Sequence, residues 1–156
     1  MKTAFSLKTL ILVCLINTAA LADMNNPGYR LKAAGQVFLL EIADSKEQKA
    51  RGLMHRQSMP ASHGLLMVFK QDVAVPIWMK NVLFPLDVIW ISHDGIVVDL
   101  KTLPQCSEDP CPVFRPRQTA RFVLEVGAGL FPLNRGDKVE IIDASGDSLH
   151  PPVSGL

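Results

Sequence analysis

Asp87-Val88-Ile89-Trp90-Ile91-Ser92-His93-Asp94-Gly95-Ile96-Val97-Val98-Asp99-Leu100 is the stretch that decides the fold class. Two β-branched runs flank a His-Asp-Gly break. Asp-Gly between such runs is a strong hairpin signal, because the tightest turn needs positive φ at both central positions. Outward from this hairpin, Gly64 leads into Leu65-Leu66-Met67-Val68-Phe69, a continuous apolar run of strand length. Val37 to Ile42 reads as a first strand that ends at Ala43, Arg121 to Val126 as a later one, and Lys138 to Ile142 as the last, entered through Gly136-Asp137. Ser45-x-x-Gln48 fits a capping box and predicts a short helix over Lys46 to Met54. The sum is an α+β, mainly β domain: a small antiparallel β-barrel-like unit with one or two short helices. Strands do not alternate with long helices, which disfavours a parallel nucleotide-binding sheet.

The ends of the chain read differently. Lys2 and Lys8 form a positive region without acids, Leu10 to Ile16 is apolar, and Ala20-Leu21-Ala22 supplies a small-x-small cleavage site. Residues 1–22 therefore read as a cleavable signal peptide. The apolar run is shorter than the roughly 20 residues a membrane span needs, so no stable membrane insertion is expected after cleavage. Residues 23–34 are expected to be a flexible N-terminal segment, 35–143 a single globular domain, and 144–156 a disordered tail. Without Lys2 and Lys8 the 16 Lys and Arg become 14 against 15 acids, a balance of −1. That excludes a strong electrostatic case for nucleic acid or an anionic membrane. A periplasmic or secreted destination also argues against chemistry that needs cytosolic nucleotide cofactors, and no cofactor is expected.

Cys14 leaves with the signal, so Cys106 and Cys111 remain. An even pair in an exported chain is read as a disulfide. The alternatives are a redox pair, whose motif normally has two residues between the cysteines, and half of a metal site.

Four further segments carry a resemblance when taken together. Ala50-Arg51-Gly52-Leu53-Met54-His55-Arg56 is followed by Trp78-Met79-Lys80-Asn81, then by Pro85-Leu86-Asp87, then by Val123-Leu124-Glu125-Val126 with Gly127-x-Gly129. In this order and spacing they resemble the domain-of-unknown-function 192 family from about Val37 to Ile142. The segment from Cys106 to Cys111 looks like the cysteine loop of exported members. His55 stands where an aromatic residue is expected, and Val82 where a small polar one is common. The resemblance implies a small β-barrel-like fold and brings no established reaction. Leu133-x-x-Gly136-Asp137-x-Val139 is also similar to the Gly-Asp turn of small cradle-type barrels.

Charged and polar residues that interrupt apolar strands are the candidates for a site, because a buried charge is costly unless paired. Lys80, Asn81, Asp87 and Glu125 form that set, with Trp78 beside it and Arg51 as a partner charge. Their bland reading is a structural ion-pair network or a solvated strand face. Their sharper reading is the polar floor of a pocket for a small polar ligand. Met54, His55, Met59, His63, Met67 and Met79 would suit a soft metal, but thioethers more often fill core gaps, and no metal site is expected. Ser58, Ser62, Ser92 and Ser107 lack the context of an activated nucleophile. The expectation is a non-catalytic exported binding or accessory domain, with a small polar ligand or an envelope protein as partner. Its rivals are an envelope hydrolase or lyase with Asp87 or Glu125 as general base, and a protein acting only through its surface.

Overall fold

The computed structural model describes residues 28–150. The expected signal peptide and the outermost part of the expected tail lie outside these residues. In chain order the elements are β1 (Arg30–Ala33), β2 (Gln36–Ala43), α1 (Lys46–Arg51), β3 (His63–Val73), β4 (Ile77–Trp78), β5 (Leu86–Ile91), β6 (Val97–Leu103), β7 (Val113–Phe114), β8 (Ala120–Gly127) and β9 (Glu140–Ile142). Seven strands form one sheet in the order β6-β5-β8-β3-β2-β1-β9, and β4 pairs with β7 in a separate ribbon. The mainly β reading holds. Every strand pair is antiparallel except β2 and β3, which run parallel because α1 carries the chain across between them.

Strand periodicity gives this sheet two buried faces. Successive residues of β5 are all buried: Ile89 and Ile91 join one apolar cluster, while Val88 and Trp90 join the other. In β8, Phe122 and Leu124 share the first face and Val123 the second. The first cluster draws on Val97 of β6 at one end of the strand order and on Leu31 and Ile141 at the other. The sheet therefore curls around it as a half-barrel. An Ile96–Lys138 bridge and the Val97 N–H bonded to the Asp137 carbonyl (2.9 Å) join the two ends of the curl. The second cluster lies on the outer face, under Leu53, Ile77, Met79 and Val82 from the α1 and β4 regions. Trp90 anchors it, fully buried, its indole N–H donating to the Val75 carbonyl (2.9 Å). Burying a side chain of that size contributes about 3 kcal/mol.

Several expected boundaries are corrected. Part of the segment expected to be flexible up to residue 34 is β1, because Leu31 and Ala33 alternate into the first cluster. Its turn to β2 has both central residues, Ala34 and Gly35, at positive φ (48° and 75°). That is the two-residue hairpin geometry expected at Asp94-Gly95. At the latter turn only Gly95 has positive φ (79°), and the Gly95 N–H bonds to the Ser92 carbonyl, so the connection is the longer form ending in a left-handed glycine. The expected tail is ordered as far as residue 150: Leu149 N–H bonds to the Ile141 carbonyl (2.9 Å), and His150 is buried. Helix α1 stops at Arg51 rather than Met54, because Gly52 leaves helical geometry at φ 50°, ψ −132°. Its capping box from Ser45 to Gln48 is present as expected.

Candidate functional site

Glu125 is the residue around which a site is built. On β8 it lies opposite Val88 of β5 and Leu65 of β3, and Leu65 in turn lies opposite Glu41 of β2. That row faces the outer cluster. Glu125 is therefore buried at 4% exposure under the turn that follows α1. Its Oε2 is shielded from solvent and has no hydrogen-bond partner among the described residues. Burial pushes its carboxyl up to about 7 from 4.5, against a smaller opposing pull from the Arg56 guanidinium. Arg56 is itself clamped by Glu41, with two contacts of 2.6 and 2.7 Å.

Above Glu125 is a pocket of about 230 Å³. Gly52, Leu53 and Met54 close one side, Met67 and Phe69 of β3 another, and Val75 to Trp78 a third. Gly52 suits this position through its backbone, which takes φ 50°, ψ −132°. A β-carbon on it would stand 3.4 Å from Glu125 Oε2 and 3.5 Å from the Met67 methyl. Lys49 and Arg51 also border the pocket. The Lys49 ammonium is committed to the carbonyls of Asp44 (2.6 Å) and Val68 (2.8 Å), and it lies over the Phe69 ring at 4.8 Å. Arg51 is exposed.

The six candidate residues divide. Arg51, Trp78 and Glu125 share this pocket. Lys80 is exposed next to it, its ammonium 5.4 Å from the centre of the Trp78 ring. Asn81 is a turn residue: it takes positive φ (57°), and its carbonyl accepts the His55 N–H at 2.8 Å. Asparagine tolerates that conformation better than most residues. Asp87 does not converge with Glu125. It pairs with Val126 and lies on the opposite face of the sheet. There its two oxygens accept from Thr102 Oγ1 (2.6 Å) and the Gly129 N–H (2.7 Å). A carboxylate so engaged is a structural clamp. The idea of one site holding both acids is thereby overturned.

Sequence reasoning missed Gly52, Met67 and Phe69. A glycine directly after a helix is a recognisable stop signal and was available for Gly52. Nothing in an apolar run marks which of its members will border a cavity. Met54 and Met67 line the pocket while Met79 is buried in the same cluster, so the thioethers act as packing. Among the described residues no group of three His, Cys, Asp or Glu converges as metal ligands would. The Cys106 and Cys111 sulfurs stand at bonding distance, 2.06 Å, in the loop between β6 and β7. No helix among the described residues is long and apolar enough to cross a membrane.

A larger, open groove of about 910 Å³ lies elsewhere, between the β1–β2 turn, Asp94 and residues 138–140. Its buried titratable group is His150, whose Nδ1 lies 3.0 Å from the His93 carbonyl. The Glu125 pocket is smaller but is walled by the sheet itself, and it is the better candidate.

Comparison with known proteins places the chain. Residues 29–141 match the model of the domain-of-unknown-function 192 family, described as Uncharacterized ACR, and the chain belongs to that family. A UPF0127 protein of Thermococcus gammatolerans is 31% identical over 93 residues, which is 58% of this chain and 56% of that relative. The chain thus matches little more than half the length of that relative. Among solved structures, a Sinorhizobium meliloti protein described as a candidate transcription regulator superposes with a TM-score of 0.64 at 30% identity, over 73% of this chain and 92% of that one. A Novosphingobium aromaticivorans protein of unknown function superposes with a TM-score of 0.65 at 24% identity, over 72% of this chain and 83% of its own, and shows the shared fold.

Proposed function

We propose that this chain is an exported binding domain whose pocket over Glu125 takes a small ligand with an apolar body and one hydrogen-bond donor. The observation that carries this reading is the buried Glu125 Oε2, which has no hydrogen-bond partner among the described residues and lies at the base of a largely apolar cavity. A buried acceptor left unpaired costs about 1–3 kcal/mol, and a ligand donor would recover it. The volume falls just below the 300–1,000 Å³ of drug-sized sites, which fits a compact molecule or a single side chain. Export rests on the signal-like residues 1–22 and is compatible with the Cys106–Cys111 pairing. The regulator description of the Sinorhizobium protein is not carried over, because the near-neutral balance of this chain offers no strong attraction to nucleic acid.

The hydrolase or lyase alternative keeps one support. A carboxyl titrating near neutrality is suited to general acid–base work. It loses Asp87, whose oxygens are both engaged, and the ammonium of Lys49 is held by backbone carbonyls.

The test is a screen of small molecules by NMR, read on the resonances of Gly52, Met67 and Trp78. Binding that shifts these three and is weakened by Glu125→Gln supports the reading. Ligands that shift only residues of the His150 groove would overturn it. Cell fractionation of the full-length chain checks export independently.

A further inference from the structure

Resting on that reading, we infer that the ligand is an amine: an ammonium on a compact apolar body, donating its N–H to Glu125 Oε2. The neighbouring cations Arg56 and Lys49 already have partners. Arg56 is held by Glu41 in a two-pronged contact, and Lys49 by two backbone carbonyls. Arg51 is exposed at the border of the pocket, while β3 and β5 present apolar Leu65, Met67 and Val88 beside Glu125. The buried charged residue among those lining the cavity is Glu125.

The walls agree with this polarity. Aromatic faces attract ammonium groups through the negative charge of the ring. Both aromatic rings of the pocket already do so, Phe69 with Lys49 at 4.8 Å and Trp78 with Lys80 at 5.4 Å. A neutral alcohol would satisfy the hydrogen bond but leave the ionised carboxylate with the Arg56 guanidinium, whose pull is smaller than the effect of burial. A ligand carboxylate or phosphate would place like charges together. An ammonium satisfies both the bond and the charge.

The linkage to pH follows. Near neutrality Glu125 is divided between its two protonation states, and an ammonium takes the ionised one. Binding therefore releases a proton to solvent, and amine affinity rises with pH until Glu125 is fully ionised. The charged groups bearing on this titration are Arg56 with its partner Glu41, together with Lys49 and Arg51 of α1.

Benzylamine, benzyl alcohol and benzoate are matched probes for an NMR titration of the full chain at about pH 5.5 and about pH 8. The expected result at the higher pH is amine binding at least about tenfold tighter than alcohol binding. Amine affinity should fall at the lower pH and also in Glu125→Gln, with alcohol affinity unchanged. Alcohol binding as tight as amine binding, with the same resonances shifted, would overturn the amine assignment and leave the pocket reading standing. No shift of Gly52, Met67 or Trp78 by any of the three would overturn both. If Glu125→Gln does not fold, the pH series on the native protein makes the same decision: amine affinity that does not rise with pH overturns the inference.

Discussion

Gly52 and Glu125 are in steric register: the place a β-carbon would occupy on Gly52 is 3.4 Å from Glu125 Oε2. One residue ends the helix, the other sits on the interior strand β8, and a β-carbon on the first would meet the carboxyl at van der Waals distance.

Gly52→Ala is therefore expected to act twice. The backbone at φ 50°, ψ −132° is strained for any L side chain, at a cost of about 1–3 kcal/mol. The added methyl also enters the space above the carboxyl. Thermal unfolding should show the loss of stability, and ligand titration a loss of affinity larger than that of an exposed control outside the pocket such as Lys46→Ala.

Glu125 gives stability a distinctive pH slope. Its folded value of about 7 lies above the unfolded 4.5, so the folded state holds its proton more tightly. The contribution is fully present below about pH 4.5 and is lost as pH rises through about 7, a change of roughly 3 kcal/mol. Denaturant unfolding of wild type and Glu125→Gln across this range isolates the effect. The variant should lack that part of the slope, and parallel curves would contradict the burial described.

His150 supplies the opposite sign. Burial lowers its value below 6.5, so its contribution is present above about pH 6.5 and is lost as pH falls through the folded value. His150→Phe should reduce the decline in stability on the acid side, measured by the same unfolding series.

Arg56 should tune the acid beneath it. Because its guanidinium holds the Glu125 carboxyl lower than burial alone would, Arg56→Gln is expected to raise the Glu125 titration midpoint further. A carbon-detected NMR titration of the Glu125 carboxyl reads this directly.

Asp87→Ala should damage the fold rather than the pocket. It removes the acceptor of two hydrogen bonds, leaving the Gly129 N–H and the Thr102 hydroxyl without it, for a loss of about 3 kcal/mol. Where the variant remains folded, ligand affinity should equal that of wild type.

The sequence exposed some of this plainly and hid the rest for physical reasons. Val88 to Ile91 announced a strand because β-branched residues cluster there, and Arg121 to Val126 read as one through its apolar Phe122, Val123, Leu124 and Val126. Their register, which puts Asp87 and Glu125 on opposite faces, is set by pairing across the sheet and is invisible in either segment alone. β1 escaped notice because Ala34-Gly35 lacks the usual Asn or Asp of a tight hairpin turn. Glu125 drew attention by interrupting an apolar strand, Trp78 by standing beside the Lys80-Asn81 pair and Arg51 as a partner charge, and the three border one pocket. Asp99 was not singled out, although it is fully buried and accepts the Arg117 N–H at 2.9 Å and the Arg135 guanidinium at 3.3 Å. It anchors two loops and belongs to the architecture. The two departures from the family pattern also find their places: His55 is exposed at positive φ, and Val82 lines the pocket.

Helix α1 buries none of its six residues, whereas Glu125 belongs to a strand paired on both sides. The amide hydrogens of the pocket floor are thus expected to exchange more slowly than those of the exposed helix that borders it. The helix is tied to that floor by the Lys49 ammonium on the Val68 carbonyl and by Leu53, buried in the second cluster. Changes along α1 can then alter how fast a ligand comes and goes while the carboxyl that recognises it stays fixed.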